Sequence, residues 1–135
     1  MSKLSEKAKQ VLRRCEKTAS WNGVAIDNLS QRNLLGDTPL HTVCTWGDVQ
    51  SVVCLVDAGA DVNALGDRGC TPLFNAVMSS DPEVVRTLLN AGADSSILSI
   101  DGRSVLRYAE NVRAPQAIVD LLLQDSNKGK SERPH

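Results

Sequence analysis

The sequence is poor in aromatic residues and has no long apolar run. Aromatic side chains make up 3% of the 135 residues, which suits a core of thin helices filled by alanine, valine and leucine. The longest uncharged stretch, from Gly69 to Ser80, is far short of the ~20 apolar residues that a membrane-spanning helix needs. We therefore expect no membrane association.

Charge of one sign is not concentrated anywhere in the chain. Lysine and arginine number 15 against 16 aspartate and glutamate, giving a formal net charge of −1. Nucleic-acid-binding chains carry a clustered basic patch, so we expect no nucleic-acid partner. Residues 1–7 are charged and lack the apolar segment of a signal peptide, so a cytoplasmic location is the default expectation.

The four cysteines, Cys15, Cys44, Cys54 and Cys70, form neither a CxxC pair nor a disulfide framework. We interpret them mainly as small core residues. His41 and Cys44 share one predicted helix at a spacing that suits zinc, but no second pair of ligands accompanies them. We expect no metal and no cofactor. A metal- or redox-responsive protein that uses Cys70 or the His41–Cys44 pair is an alternative hypothesis.

One segment recurs every 33 residues. The motif GDTPLH at 36–41 returns as GCTPLF at 69–74 and, in weaker form, as GRSVLR at 102–107. A second motif, GAD, occurs at 59–61 and again at 92–94. Because several residue types keep the same step, the period indicates a stack of structural repeats.

The first motif has a physical explanation of its own. Gly36 allows a positive φ in a tight turn, Thr38 is a favourable helix cap, and Pro39 suits the first helical position. A second helix with apolar residues at helical spacing follows, and Gly59 ends it. A single helix pair of this kind cannot bury its apolar face alone, so neighbouring pairs must stack.

A TPLH start with a 33-residue period resembles the ankyrin repeat over roughly residues 33–124. The resemblance implies an all-α fold, an ankyrin-repeat solenoid of stacked helix-turn-helix units with short hairpin-like fingers. We expect a single domain over 1–125, with an N-terminal cap at 1–32 that contains an amphipathic helix at 3–19. Residues 126–135 read as a disordered polar tail. The repeats are expected at about 33–65, 66–98 and 99–125.

The resemblance also implies protein binding without catalysis. The sequence shows no glycine-rich phosphate loop and no Ser-His-Asp or Cys-His arrangement, so we predict that the chain is not an enzyme. His41 is interpreted as structural: in the family, histidine at this position bonds neighbouring backbone and holds the finger in register. Phe74 occupies the equivalent position of the second repeat and is expected to pack.

Ankyrin repeats bind through their finger tips and concave helix surface, and the family's variable positions can be transferred to this chain. Trp46 is the leading candidate, because tryptophan is enriched at interface hot spots and stacking does not require it there. The opposing interpretation is that Trp46 only covers a neighbouring helix. The predicted partner-binding residues are Trp46, Thr45, Asp37, Leu65, Asp67, Arg68, Cys70, Met78, Leu98, Ile100, Asp101 and Arg103.

The expected function is that of a monomeric adaptor or inhibitor with a protein partner. A more specific alternative is a dedicated inhibitor of one enzyme, such as an immunity-type antitoxin or a kinase inhibitor, which the small size and the lack of an effector domain suggest. A third hypothesis is assembly of identical chains through the apolar finger tips.

Overall fold

The computed structural model describes residues 4–131. That part of the chain contains seven α-helices, a 3-10 turn at Asp67–Gly69 and no strand. The all-α prediction is therefore confirmed. The helices are α1 (Glu6–Glu16), α2 (Pro39–Trp46), α3 (Val49–Asp57), α4 (Pro72–Ser79), α5 (Pro82–Asn90), α6 (Val105–Asn111) and α7 (Gln116–Ser131).

The helices form two stacked layers. Helices α2, α4 and α6 pack on one another in order and make the inner layer. Helices α1, α3, α5 and α7 make the outer layer, and each repeat joins one helix of each layer. Helix α1 packs on α3 and α2, which is the position expected of a cap ahead of the first complete repeat.

Glycine ends the outer helices as the sequence predicts. At the end of α3, Gly59 has a φ of 105°, and its N–H donates to the carbonyl of Val56 at 3.0 Å. The next N–H, of Ala60, donates to Leu55 at 3.0 Å. This pair of bonds is the Schellman motif, and the same pair recurs around Gly92 at the end of α5.

The C-terminal helix is longer than the sequence suggests. We predict a disordered tail from residue 126, whereas α7 continues to Ser131. Asp125 stands where Gly59 and Gly92 end their helices, so no residue that favours a positive φ stops α7 there. At the other end, α1 covers 6–16 instead of the expected 3–19. Residues 132–135 of the tail lie outside the described part of the chain.

The largest fully buried side chain belongs to the loop after α1. Trp21 is 1% exposed, and its indole N–H donates to Oγ1 of Thr42 at 3.0 Å. This bond satisfies the polar end of the ring on helix α2, as a buried tryptophan requires. The cap is therefore joined to the first repeat by a core side chain and not by surface contacts alone.

The residue that follows each inner helix, or nearly follows it, has a left-handed backbone at one repeat position. Gly47, Ser80 and Arg113 are 33 residues apart and have φ values of 74°, 63° and 54°. Only Gly47 adopts this conformation without a steric cost. Ser80→Gly is therefore expected to stabilise the protein by about 0.5–1 kcal/mol, measured as a shift of the urea unfolding midpoint.

The adjacent residue provides a matched control for Ser80→Gly. Ser79 is the last residue of α4, and its hydroxyl donates to the carbonyl of Ala76 at 2.6 Å. Ser79→Gly is expected to destabilise the protein, because glycine is unfavourable within a helix. If both variants lowered the midpoint, backbone strain at Ser80 would not be the controlling factor.

Candidate functional site

The loop ahead of each inner helix closes in the same five-residue turn. In the turns 33–37, 66–70 and 99–103, the first N–H donates to the last carbonyl at 2.9, 2.8 and 2.9 Å. The fourth residue of each turn is a glycine whose φ lies between 70° and 92°. We call these turns the first, second and third fingers. They give the predicted finger shape without any strand in the described residues.

The fingers are tied to one another in a row. The N–H of Asp67 in the second finger donates to Oδ1 of Asp37 in the first at 2.8 Å. The N–H of Ile100 in the third finger donates to the carbonyl of Arg68 in the second at 2.8 Å. These bonds fix the spacing of the finger side chains, so the surface that they present is ordered in advance.

His41 connects two repeats through both of its ring nitrogens. Nδ1 accepts the backbone N–H of Thr38 at 3.1 Å, so the ring proton is on Nε2, which donates to the carbonyl of Cys70 at 2.9 Å. The side chain is fully buried. This geometry agrees with the structural role predicted for His41. It also leaves neither nitrogen for a metal ion, and burial raises the pKa of the neighbouring Cys44 thiol.

The titration of His41 gives a testable pH dependence. Burial lowers the pKa of His41 below its ordinary 6.5, so the unfolded chain binds a proton that the folded chain resists. The contribution of His41 to stability is complete above pH 6.5 and is lost as pH falls towards the lowered pKa, with a slope of at most about 1.4 kcal/mol per pH unit. Urea unfolding midpoints measured from neutral pH downwards test this expectation.

Two variants isolate the group responsible for that slope. His41→Phe, which copies Phe74 of the second repeat, should be less stable at neutral pH and should lack the slope near pH 6. His135→Gln removes the only other histidine of the sequence and should keep it. A slope that survives His41→Phe would contradict the assignment.

A groove of about 460 Å³ lies between the fingers and the inner helices. All three fingers contribute to its wall, and α2, α4 and α6 each contribute to its floor. The side chains that line it are Leu35, Asp37, Thr45, Asp67, Arg68, Cys70, Phe74, Asn75, Met78, Ser99, Asp101, Arg103 and Tyr108.

Most of the predicted partner-binding residues converge on this groove. Eight of them line it: Asp37, Thr45, Asp67, Arg68, Cys70, Met78, Asp101 and Arg103. Leu65, Leu98 and Ile100 lie outside the groove lining, and their side chains are 52%, 53% and 78% exposed. The structure therefore brings two thirds of the predicted set to one concave surface and places three apolar residues beside it.

Trp46 does not belong to the groove. Its ring is half-buried, and the guanidinium carbon of Arg14 lies 4.9 Å from the ring centroid. Arg14 also donates to Oδ2 of Asp48 and to Oγ of Ser51, both at 3.1 Å. Trp46 ends α2 beside the cap helix, so it covers α1. This geometry matches the opposing interpretation and corrects the expectation of an exposed tryptophan on the concave side.

The sequence interpretation did not include the side chains that form the groove floor. Phe74 packs as predicted and is almost fully buried, and its ring centroid lies 5.8 Å from that of Tyr108. Asn75 is also buried and reaches the groove. The signal was in the repeat register, since Tyr108 follows Asn75 by 33 residues and both come one residue after the histidine position.

Cys70 is half-buried in the groove and is held as a thiol. Burial raises its pKa most, and the carboxylates of Asp67, Asp37 and Asp101 raise it further. A reactive cysteine needs a lowered pKa and an electropositive environment. The surroundings of Cys70 are the opposite, so the geometry gives no support to the redox hypothesis.

Two further features were sought in residues 4–131. No group of three or more histidine, cysteine, aspartate or glutamate side chains is arranged there to hold a metal ion. None of the described helices combines the length and the apolar character needed to cross a membrane.

Comparison with known proteins gives one match. A family model described as ankyrin repeats (3 copies) matches residues 6–99, and no curated protein matches the chain. The matched segment begins at α1 and ends ahead of α6, so the stacking of α6 and α7 is the evidence for the last repeat. Repeats of this family are generally protein–protein interaction modules and are typically non-catalytic.

Proposed function

Because the chain belongs to the ankyrin-repeat family, we propose that it binds a protein partner, without catalysis, in the groove between its fingers and inner helices. The observation that carries this proposal is the convergence of all three fingers and all three inner helices on one groove. An adaptor and an inhibitor would use this surface in the same way.

The chemistry of the groove supports a protein as the ligand. Its floor is apolar and includes Phe74, Met78 and Tyr108, whereas its rim carries charged side chains such as Arg68 and Arg103. Protein interfaces have this arrangement of an apolar centre and a polar rim. The hydrogen-bonded row of fingers adds preorganisation, which lowers the entropy lost on binding.

The contact surface extends, in this proposal, beyond the groove lining. Leu65, Leu98 and Ile100 expose half or more of their side chains beside the groove. A partner segment longer than the groove would cover them and bury additional apolar area. Trp46 is left out of the proposed surface, since it packs against Arg14.

The test compares capture of partners by three folded proteins. Wild type is set beside the double variant Leu35→Asn/Met78→Asn, which removes two exposed apolar side chains of the groove. The matched control is Val53→Asn/Leu123→Asn, which removes two exposed apolar side chains of the outer helices α3 and α7. Circular dichroism first establishes that all three are folded.

We expect the groove variant to bind an identified partner at least about tenfold more weakly, with no loss for the control variant. Equal binding by wild type and groove variant, measured by titration calorimetry with that partner, would refute the proposal. Capture of one enzyme whose activity falls on binding would make the chain a dedicated inhibitor. Light scattering tests the proposed monomer, and a concentration-dependent dimer would instead favour assembly through the finger tips.

A further inference from the structure

The groove contains a hydrogen-bond acceptor that the protein itself does not use. Asn75 lines the groove and is only 7% exposed. Thr45 Oγ1 donates to the carbonyl of His41 at 3.2 Å, so it accepts the bond from Asn75 Nδ2 at 2.9 Å. This chain fixes the orientation of the amide. Within residues 4–131, nothing donates to its oxygen, Oδ1, which is therefore available to a donor in the groove.

Three carboxylates surround the same space. Asp37, Asp67 and Asp101 all line the groove, and none of them forms an ion pair within the described residues. All three act on Cys70 at the groove wall, where Arg68 alone opposes them and is the weakest contribution. The electrostatic potential at this point is therefore negative, which favours a cation in the groove.

Apolar and aromatic surface lies beside the acceptors. Phe74 and Tyr108 place their rings 5.8 Å apart, and Met78 is half-exposed next to them. Lysine and arginine have an apolar stem below a cationic head group, and a guanidinium stacks on aromatic faces. A basic side chain thus matches both parts of this surface.

We propose that the partner segment inserts a lysine or arginine side chain into this groove. The head group donates to Oδ1 of Asn75 and lies among the carboxylates of the fingers. The stem packs on the aromatic floor. This inference depends on the proposed function, because it specifies the chemistry of the partner that the groove takes.

Capped heptapeptides of sequence GGLXLGG, in which X is arginine, norleucine or glutamate, are the probes. Their binding to the full chain is followed by amide chemical shifts in NMR titrations. We expect the arginine peptide to bind at least about tenfold more tightly than the norleucine peptide, with shifts confined to the groove. The glutamate peptide should bind most weakly.

Two charge variants separate the local carboxylates from overall charge. Asp67→Asn/Asp101→Asn removes two carboxylates whose side chains make no hydrogen bond within the described residues. Asp27→Asn/Asp57→Asn makes the same change in net charge away from the groove. The first variant should lose the preference for arginine over norleucine, and the second should keep it.

Each contrary result has a distinct meaning. Tighter binding of the glutamate peptide would show that Arg68 and Arg103 select an acidic partner, and equal binding of arginine and norleucine would show an apolar anchor alone. Either result overturns the inference while the proposed binding function stands. No binding of any peptide also overturns it, and unchanged partner capture by Leu35→Asn/Met78→Asn would show that the proposed function fails as well.

Discussion

Trp21→Ala is expected to lower the free energy of unfolding by about 3–5 kcal/mol, the usual cost of deleting a fully buried large aromatic side chain. The ring is 1% exposed, and its removal leaves a cavity between the cap and the first repeat. It also removes the 3.0 Å hydrogen bond to Thr42. Since a domain of this size is stabilised by only about 5–15 kcal/mol, urea unfolding should show a large shift.

The second tryptophan of the chain is the control for this experiment. Trp46 is half-buried and contacts the Arg14 guanidinium, and such a contact at a partly exposed site contributes about 0.5–1 kcal/mol. Trp46→Ala should therefore cost much less than Trp21→Ala. If the two variants lost equal stability, the assignment of Trp21 to the core and Trp46 to its edge would be wrong.

Gly66→Ala is expected to cost about 2–3 kcal/mol, because there is no space for a methyl group at this position. A Cβ atom on Gly66 would lie 2.7 Å from Nε2 of His41 and would also collide with Oδ1 of Asp37. To relieve the clash, the imidazole must leave the Cys70 carbonyl or the carboxylate must leave the Asp67 N–H. The backbone itself is not the reason, since φ of Gly66 is −110°.

A double-mutant cycle tests that explanation. In a His41→Ala background the ring that the new methyl group meets is gone, so Gly66→Ala should cost clearly less than it does in the wild type. Additive losses of stability in chemical denaturation would mean that the clash with His41 does not determine the effect.

The helices were largely predictable because their ends are encoded locally. The Thr-Pro starts of α2 and α4 and the glycines after α3 and α5 recur at the 33-residue period, and each acts within one turn of the backbone. The end of α7 was not predicted correctly, because the sequence changes there from a stop signal to Asp125. Its polar composition was taken as disorder, although the structure continues the helix.

The groove was predictable to the extent that it follows the repeat register. Finger residues such as Asp67, Arg68 and Asp101 occupy equivalent positions, so the register places them on one surface. The surroundings of Trp46 depend instead on Arg14 of the cap, which lacks the repeat motif. No local pattern announces that contact, and the same applies to the bond between Trp21 and Thr42.

The substitution of Phe74 for the motif's histidine gives the stack two unequal junctions. Between the first and second repeats, the buried imidazole of His41 bonds the backbone of the next turn. Between the second and third, a ring contact between Phe74 and Tyr108 occupies that place. The C-terminal pair of helices is therefore the part that detaches first when the chain is heated or pulled. A ligand lying across the groove spans both junctions, so its binding acts as a mechanical brace on the weaker end.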